Sequence, residues 1–229
     1  MDGTLYQAAA LIVPMILAIV FHEVAHGWVA RALGDPTAEE ARRLSLNPLR
    51  HVDPIGTIVL PGILALAKAP IFGWAKPVPV NKWRLRNPRF GMMAVALAGP
   101  GSNLVLAALA ALGLGLMAGQ MTSAAAPGSL LHFTALNLFN FILVNIFLAL
   151  FNLLPIPPFD GSHVVEGLMP RRWIPAYERL RPWGFPLVIL VLIVIPYIVP
   201  SFDPVGKLVV PPVQWLTRHY LGFADFLAR

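Results

Sequence analysis

The chain contains no cysteine and few charges. Without cysteine there are no disulfides and no thiolate metal ligands, so any bound metal must be held by His, Asp, Glu or Asn. Charged residues make up 12% of the 229 positions and hydrophobic residues 57%, against roughly 25% and 45–50% in a soluble domain. That balance excludes a chain built for water. The net charge of +6 does not point to nucleic acid, because the basic residues stand in short clusters beside apolar runs rather than along one polar helix face. A removable secretory signal is not expected either. The apolar run 8–21 has no basic residue before it and continues straight into His22. With no internal repeat or flexible linker, the chain reads as one domain, residues 1–229, with a core over 6–161 and a C-terminal span and tail over 184–229.

What is present is a set of apolar runs long enough to cross a bilayer, for which about 20 helical residues are needed. An all-α polytopic membrane protein with about four full spans is therefore expected, at residues 6–33, 91–118, 131–154 and 184–200. The first should stop at Gly34-Asp35-Pro36. Residues 55–67 are apolar but short and broken by Pro61-Gly62, which suits a re-entrant segment. Clusters of Arg and Lys mark the cytoplasmic side: Arg42, Arg43 and Arg50; then Lys68, Lys76, Lys82, Arg84, Arg86 and Arg89; then Arg171, Arg172, Arg179 and Arg181. Between them Trp74-Ala75-Lys76-Pro77-Val78-Pro79-Val80 alternates in a way that predicts a short strand-like loop. The tail 201–229 is expected at the outer interface or as a further C-terminal membrane segment.

The chemistry concentrates in His22-Glu23-Val24-Ala25-His26. Positions i and i+4 share a helix face, so His22 and His26 can offer two imidazoles to one zinc ion while Glu23 stands beside them as a general base. Three ionisable residues within one turn of a membrane helix carry a desolvation cost of several kcal/mol unless they are paired, so they mark function. A catalytic zinc usually takes three protein ligands. Asp160 is the leading third candidate because it follows the break at Pro155-Ile156-Pro157-Pro158 at the same cytoplasmic depth; His163, His51 and Asp53 compete with it. His132 and His219 are placed at the outer interface. A metal transporter or sensor using the same ligands is the alternative, and it needs no general base.

Together, His22-Glu23-Val24-Ala25-His26-Gly27, Ala98-Gly99-Pro100-Gly101-Ser102-Asn103 and Asn152-Leu153-Leu154-Pro155-Ile156-Pro157-Pro158-Phe159-Asp160-Gly161 resemble the site-2 protease family of intramembrane metalloproteases, in the family's order. Residues 47–53 and 72–81 resemble its compact, mostly prokaryotic branch, which carries no PDZ or CBS domain. The resemblance implies one zinc ion per chain held by His22, His26 and Asp160, with Glu23 catalytic. It further implies that Asn152 and Asn103 match the family's polar asparagines. A side-chain amide there can support the transition state or substrate backbone, or simply join helices. The implied substrate is a transmembrane segment of another protein, cut within the lipid bilayer of a prokaryotic cytoplasmic membrane with the active site toward the cytoplasm. Such a substrate must be unwound before its carbonyl can be reached. Trp74, Lys76, Val78 and Val80 are candidates for holding it by strand addition.

Overall fold

The structure is a computed structural model and describes residues 3–66, 73–120, 126–199 and 201–229. Residue 67 at the end of the expected re-entrant segment, Lys68 of the basic cluster after it, and Pro200 lie outside the described residues. Ten α-helices follow in chain order: α1 Gly3–Ala32, α2 Thr37–Glu40, α3 Leu60–Leu66, α4 Pro88–Gly119, α5 Leu130–Asn152, α6 Gly161–Leu168, α7 Ile174–Glu178, α8 Arg181–Ile189, α9 Ile195–Ile198 and α10 Val210–Leu227. Among the described residues, four stretches are long and apolar enough to span a membrane: Leu5–Ala32, Pro88–Gly119, Leu130–Asn152 and Arg181–Ile198. They match the four expected spans to within a few residues, because in hydrocarbon only a helix satisfies every backbone polar group within its own segment. Residues 54–66 form one short helical stretch, wide π-type turns over Pro54–Val59 running into α3. At about 1.5 Å per residue this is roughly 20 Å, short of the ~30 Å of hydrocarbon.

Backbone contacts divide the chain into two compact units. The first takes Met1–Ala18, Pro100–Asn152 and Val205–Arg229. Its core sets Ala107, Ala110 and Ala111 of α4 against Ile142 and Ile146 of α5 and Ala224 of α10. Small residues allow this approach, since a Cβ on Gly115 would stand 2.6 Å from the Ala224 carbonyl oxygen. The tail, expected at the outer interface or as a further membrane segment, contributes a packed helix, α10, to this unit. Buried amides tie the helices: Asn103 Nδ2 donates to the Ala18 carbonyl at 3.1 Å and to Asn145 Oδ1 at 2.7 Å, and Asn140 Nδ2 donates to the Ala10 carbonyl at 2.9 Å.

The second unit takes Ile19–Gly99 and Leu153–Pro204. Here α1 ends as the sequence predicts. Gly34 adopts φ +107°, the Asp35 amide donates to the Ala30 carbonyl at 2.9 Å and the Gly34 amide to that of Arg31 at 3.0 Å, which is a Schellman cap. Asp35 itself is fully buried. Its carboxylate accepts from the Thr37 amide at 3.0 Å, the Thr37 hydroxyl, and the Asn81 amide at 2.6 Å. Burial alone would raise its pKa; these donors and nearby Arg84 outweigh that and hold it below the usual carboxylate range.

Residues 74–80 form a loop, as expected, and this loop pairs with no second strand; among the described residues there is no β-strand. The amides of Trp74, Lys76 and Val78 donate instead to the Gly56 carbonyl, the His51 carbonyl and the Glu23 carboxylate. Pro77 and Pro79 have no amide hydrogen to give to a ladder. The alternation in the sequence is real, but its hydrogen bonds go to loops and a side chain rather than to a second strand.

Candidate metal centre

α1 carries His22 and His26 four residues apart, with Glu23 next to His22, all within the second unit. Both imidazoles are buried, at 5% and 8% exposure. α4 brings its residues 95–99 across them. His26 Nδ1 lies 2.7 Å from the Val95 carbonyl oxygen, so the proton sits on Nδ1 and the Nε2 lone pair is turned inward. Gly99 makes room for both rings. A Cβ there would stand 2.5 Å from His26 Cε1 and Nε2 and 2.6 Å from His22 Cε1.

Asp160 arrives from the turns that follow α5. The Phe159 amide bonds the Ile156 carbonyl and the Ser162 amide that of Phe159, which places Asp160 at the head of α6. The next residue must be glycine, because a Cβ on Gly161 would lie 2.2 Å from the Leu153 carbonyl oxygen. Asp160 Oδ2 then stands 3.1 Å from His22 Nε2 and 3.4 Å from His26 Nε2, while the two Nε2 atoms are 3.1 Å apart.

The triangle formed by these three atoms fits a metal. A tetrahedral zinc with bonds of about 2.0–2.2 Å sets its ligand atoms roughly 3.3–3.6 Å apart, close to the edges seen. The chemistry of the donors agrees. Asp160 Oδ2 is buried without a hydrogen-bond partner, and it faces an imidazole lone pair. Two acceptors in that position repel unless a cation lies between them. Among the described residues this is the one group of His, Asp and Glu side chains arranged to hold a metal ion.

Glu23 lies beside the triangle with Oε2 accepting the Val78 amide at 2.7 Å. The competing ligands have other work. His51 is buried with Nε2 2.7 Å from the Ser45 carbonyl oxygen. Asp53 caps the helical stretch 54–66, accepting from the amides of Ile55 at 3.0 Å and Gly56 at 2.7 Å. His163 faces the Arg181 guanidinium at 3.0 Å; burial, and then that cation, push its pKa down to about 4. A metal ion would meet the same repulsion from Arg181. His132 stacks on Tyr6 and bonds its hydroxyl at 2.8 Å, and His219 Nδ1 bonds the Trp215 carbonyl.

In the first unit the Asn103 amide donates to the Ala18 carbonyl and to Asn145 Oδ1, and Asn152 Nδ2 donates to the Leu148 carbonyl at 2.9 Å. Of the candidate substrate contacts, Val78 is buried, Val80 packs on the Ala30–Leu85–Val95 cluster, and Trp74 meets Phe185 edge-on at 5.0 Å between ring centroids. Lys76 is exposed. Sequence reasoning did not find the parts played by Val95, Gly99 and Asp35. Val95 contributes only a backbone carbonyl and leaves no side-chain signal. Gly99 stands within a quoted motif, and a glycine inside a helix is itself a sign of close approach. Asp35 is an acid just past a helix C-terminus, where the dipole disfavours it, and that mismatch was the available signal.

The chain was compared with known proteins. The family model "Peptidase family M50" matches residues 10–195. "Putative zinc metalloprotease YwhC" of Bacillus subtilis is 40% identical over 202 residues, 86% of this chain and 87% of that protein. "Putative zinc metalloprotease Rip2" of Mycolicibacterium smegmatis is 29% identical over 179 residues, 78% of this chain and 64% of that protein. "Putative zinc metalloprotease MJ0611" of Methanocaldococcus jannaschii is 33% identical over 149 residues, 64% of each. No solved structure matches at a significant level. With most of its length covered and its metal-binding motif inside the match, the chain belongs to peptidase family M50, the site-2 protease family that its sequence motifs resemble.

Proposed function

We propose that this membrane protein is a zinc metallopeptidase that hydrolyses peptide bonds in or near the transmembrane segments of other membrane proteins. The observation that carries the reading is the triangle of His22 Nε2, His26 Nε2 and Asp160 Oδ2, with edges of 3.1, 3.1 and 3.4 Å, and the carboxylate of Glu23 next to it. His22, His26 and Asp160 would hold the metal ion, and zinc is the metal that the names of the relatives give for those proteins. Bound zinc supplies Lewis acidity, which acidifies water and polarises a carbonyl.

The chain's own residues do the rest. The Val95 carbonyl fixes the His26 tautomer and makes its Nε2 a stronger donor. The Val78 amide anchors Glu23 through Oε2 and so orients the carboxylate, which takes up the proton of the attacking water and returns it to the leaving amine. Because the side chains of Trp74, Val78 and Val80 are used in packing and the Trp74, Lys76 and Val78 amides are already bonded, the segment 74–80 offers a substrate Lys76 and the backbone groups that remain. From its place in the motif alone, we also assign Asn152 as an amide donor to the developing oxyanion, a contribution of about 2.7–4 kcal/mol for one such donor. Asn103 serves as a tie between helices. The arginines and lysines around the site set it toward the cytoplasmic face of a prokaryotic cytoplasmic membrane.

The test is a cleavage assay of purified protein in detergent on a panel of single-span substrates, with the cut mapped by mass spectrometry. Glu23→Gln should keep zinc and lose cleavage. Undiminished proteolysis by that variant would remove Glu23 from the role of base.

A further inference from the structure

A cavity of about 430 Å³ lies in the second unit at the polar end of α1. Three arginines line it, Arg31, Arg42 and Arg50, with Glu39 as the one acid, so its walls carry three positive charges against one negative. Glu39 is paired with Arg31, Nε to Oε2 2.8 Å. Arg42 and Arg50 have no carboxylate partner among the described residues; Arg50 Nη1 instead donates to the Arg42 carbonyl at 2.8 Å.

Arg42 is held there against local preference. It has φ +55°, and it is the non-glycine residue with positive φ among the described residues. The Arg42 amide bonds the Glu39 carbonyl and the Arg43 amide that of Ala38, both at 2.8 Å. This is the cap position at which glycine usually ends a helix, since it takes positive φ without steric cost. A strained residue of this kind points to a use for its side chain.

The surroundings show what kind of use. Trp28, one helical turn from Arg31 and also lining the cavity, is 54% exposed; Leu46 and Leu49, which flank the cavity-lining loop, are 46% and 78% exposed. Exposed tryptophan and leucine interleaved with arginine at the end of an apolar span are the pattern of a surface seated in a membrane interface. Guanidinium groups present paired N–H donors to the oxygens of a phosphate, and Ser45 adds a hydroxyl to the wall.

We infer that this cavity binds the phosphate headgroup of an anionic phospholipid, with the acyl chains lying over Trp28, Leu46 and Leu49. The site stands apart from the metal ligands and does not depend on the peptidase reading. It would make the protein responsive to the lipid composition of the membrane that holds it.

The test is native mass spectrometry of the full-length protein titrated with phosphatidylglycerol or phosphatidylcholine. Wild type should retain phosphatidylglycerol well over tenfold better. Arg42→Gly relieves the positive-φ strain while removing one charge, so it should fold at least as stably yet bind the lipid about fivefold more weakly; Arg42→Gly with Arg50→Gln should lose roughly twenty-fivefold. Arg171→Gln with Arg172→Gln removes as much charge away from the cavity and should leave retention unchanged. Equal retention by Arg42→Gly and wild type would overturn the inference. So would displacement of the lipid by inorganic phosphate at equal concentration, which would make this a site for a soluble anion.

Discussion

Replacing Gly99 with alanine adds a single carbon at the point where α4 crosses the imidazoles of α1. The new Cβ would stand 2.5 Å from His26 Cε1 and Nε2 and 2.6 Å from His22 Cε1. Ordinary carbon contacts are about 3.5–4.0 Å, so the rings and the helix must separate by roughly 1 Å. His26 cannot swing freely, because Nδ1 is tied to the Val95 carbonyl of the same helix at 2.7 Å. Crowding of this kind costs about 1–3 kcal/mol in folding, partly offset by the ~1 kcal/mol that alanine gains over glycine within a helix. Metal ligands tolerate displacements of only about 0.2 Å. Zinc affinity should therefore fall at least a hundredfold, about 2.7 kcal/mol, while the melting temperature moves by only a few degrees. Competition with a chromogenic chelator measures the affinity, and Gly101→Ala is the control. A Cβ on Gly101 meets nothing within 4 Å, so that variant should bind zinc normally and melt slightly higher. Zinc binding by Gly99→Ala within threefold of wild type would refute the claim that α4 forms one wall of the metal site.

Three further outcomes are expected. Asp160→Ala should lose zinc under mild chelation by a factor of 10³ or more, since it removes one of three ligands, worth about 4 kcal/mol; full retention, measured by metal analysis, would move the third ligand to His163 or Asp53. Gly161→Ala places a Cβ 2.2 Å from the Leu153 carbonyl oxygen, a backbone atom that cannot step aside, so it should lose about 3 kcal/mol or more of stability in denaturant titrations; a variant as stable as wild type would show that this turn is not close-packed. Asp35→Asn should cost about 2–3 kcal/mol at pH 7 by weakening charge-assisted bonds to Thr37 and Asn81. The Asp35 pKa is lowered on folding. Its contribution is thus fully present above the unfolded value of about 3.9 and is lost as pH falls through the folded value. The gap between wild type and variant should be constant from pH 7 to 5 and close below about pH 4; a gap that widens on acidification would contradict a buried, ionised Asp35.

Much of the architecture was legible because it follows from local physics. A run such as 5–32 must be helical in hydrocarbon whatever surrounds it, and Gly34-Asp35-Pro36 can end it for reasons internal to those residues. The spacing of His22 and His26 likewise puts two imidazoles on one face without help from the rest of the chain. What the strand-like loop over residues 74–80 bonds to was not legible, for the converse reason. Alternation specifies which amides share an edge, but the acceptors turned out to be the Gly56 and His51 carbonyls and the Glu23 carboxylate, which no local pattern names.

By itself, then, the sequence determined the membrane class and the span positions, and it nominated the paired histidines with Glu23 between them and, through motif resemblance, Asp160. The tertiary structure decided what those residues meet. It set Asp160, 134 residues beyond His26, within 3.4 Å of its Nε2, chose the Val95 carbonyl as partner for the other ring nitrogen, and turned His51, Asp53 and His163 to structural uses. Helices and caps depend on residues within a few positions of one another. A metal site depends on how closely two backbones approach, and that is governed here by the absence of a side chain at Gly99 and Gly161.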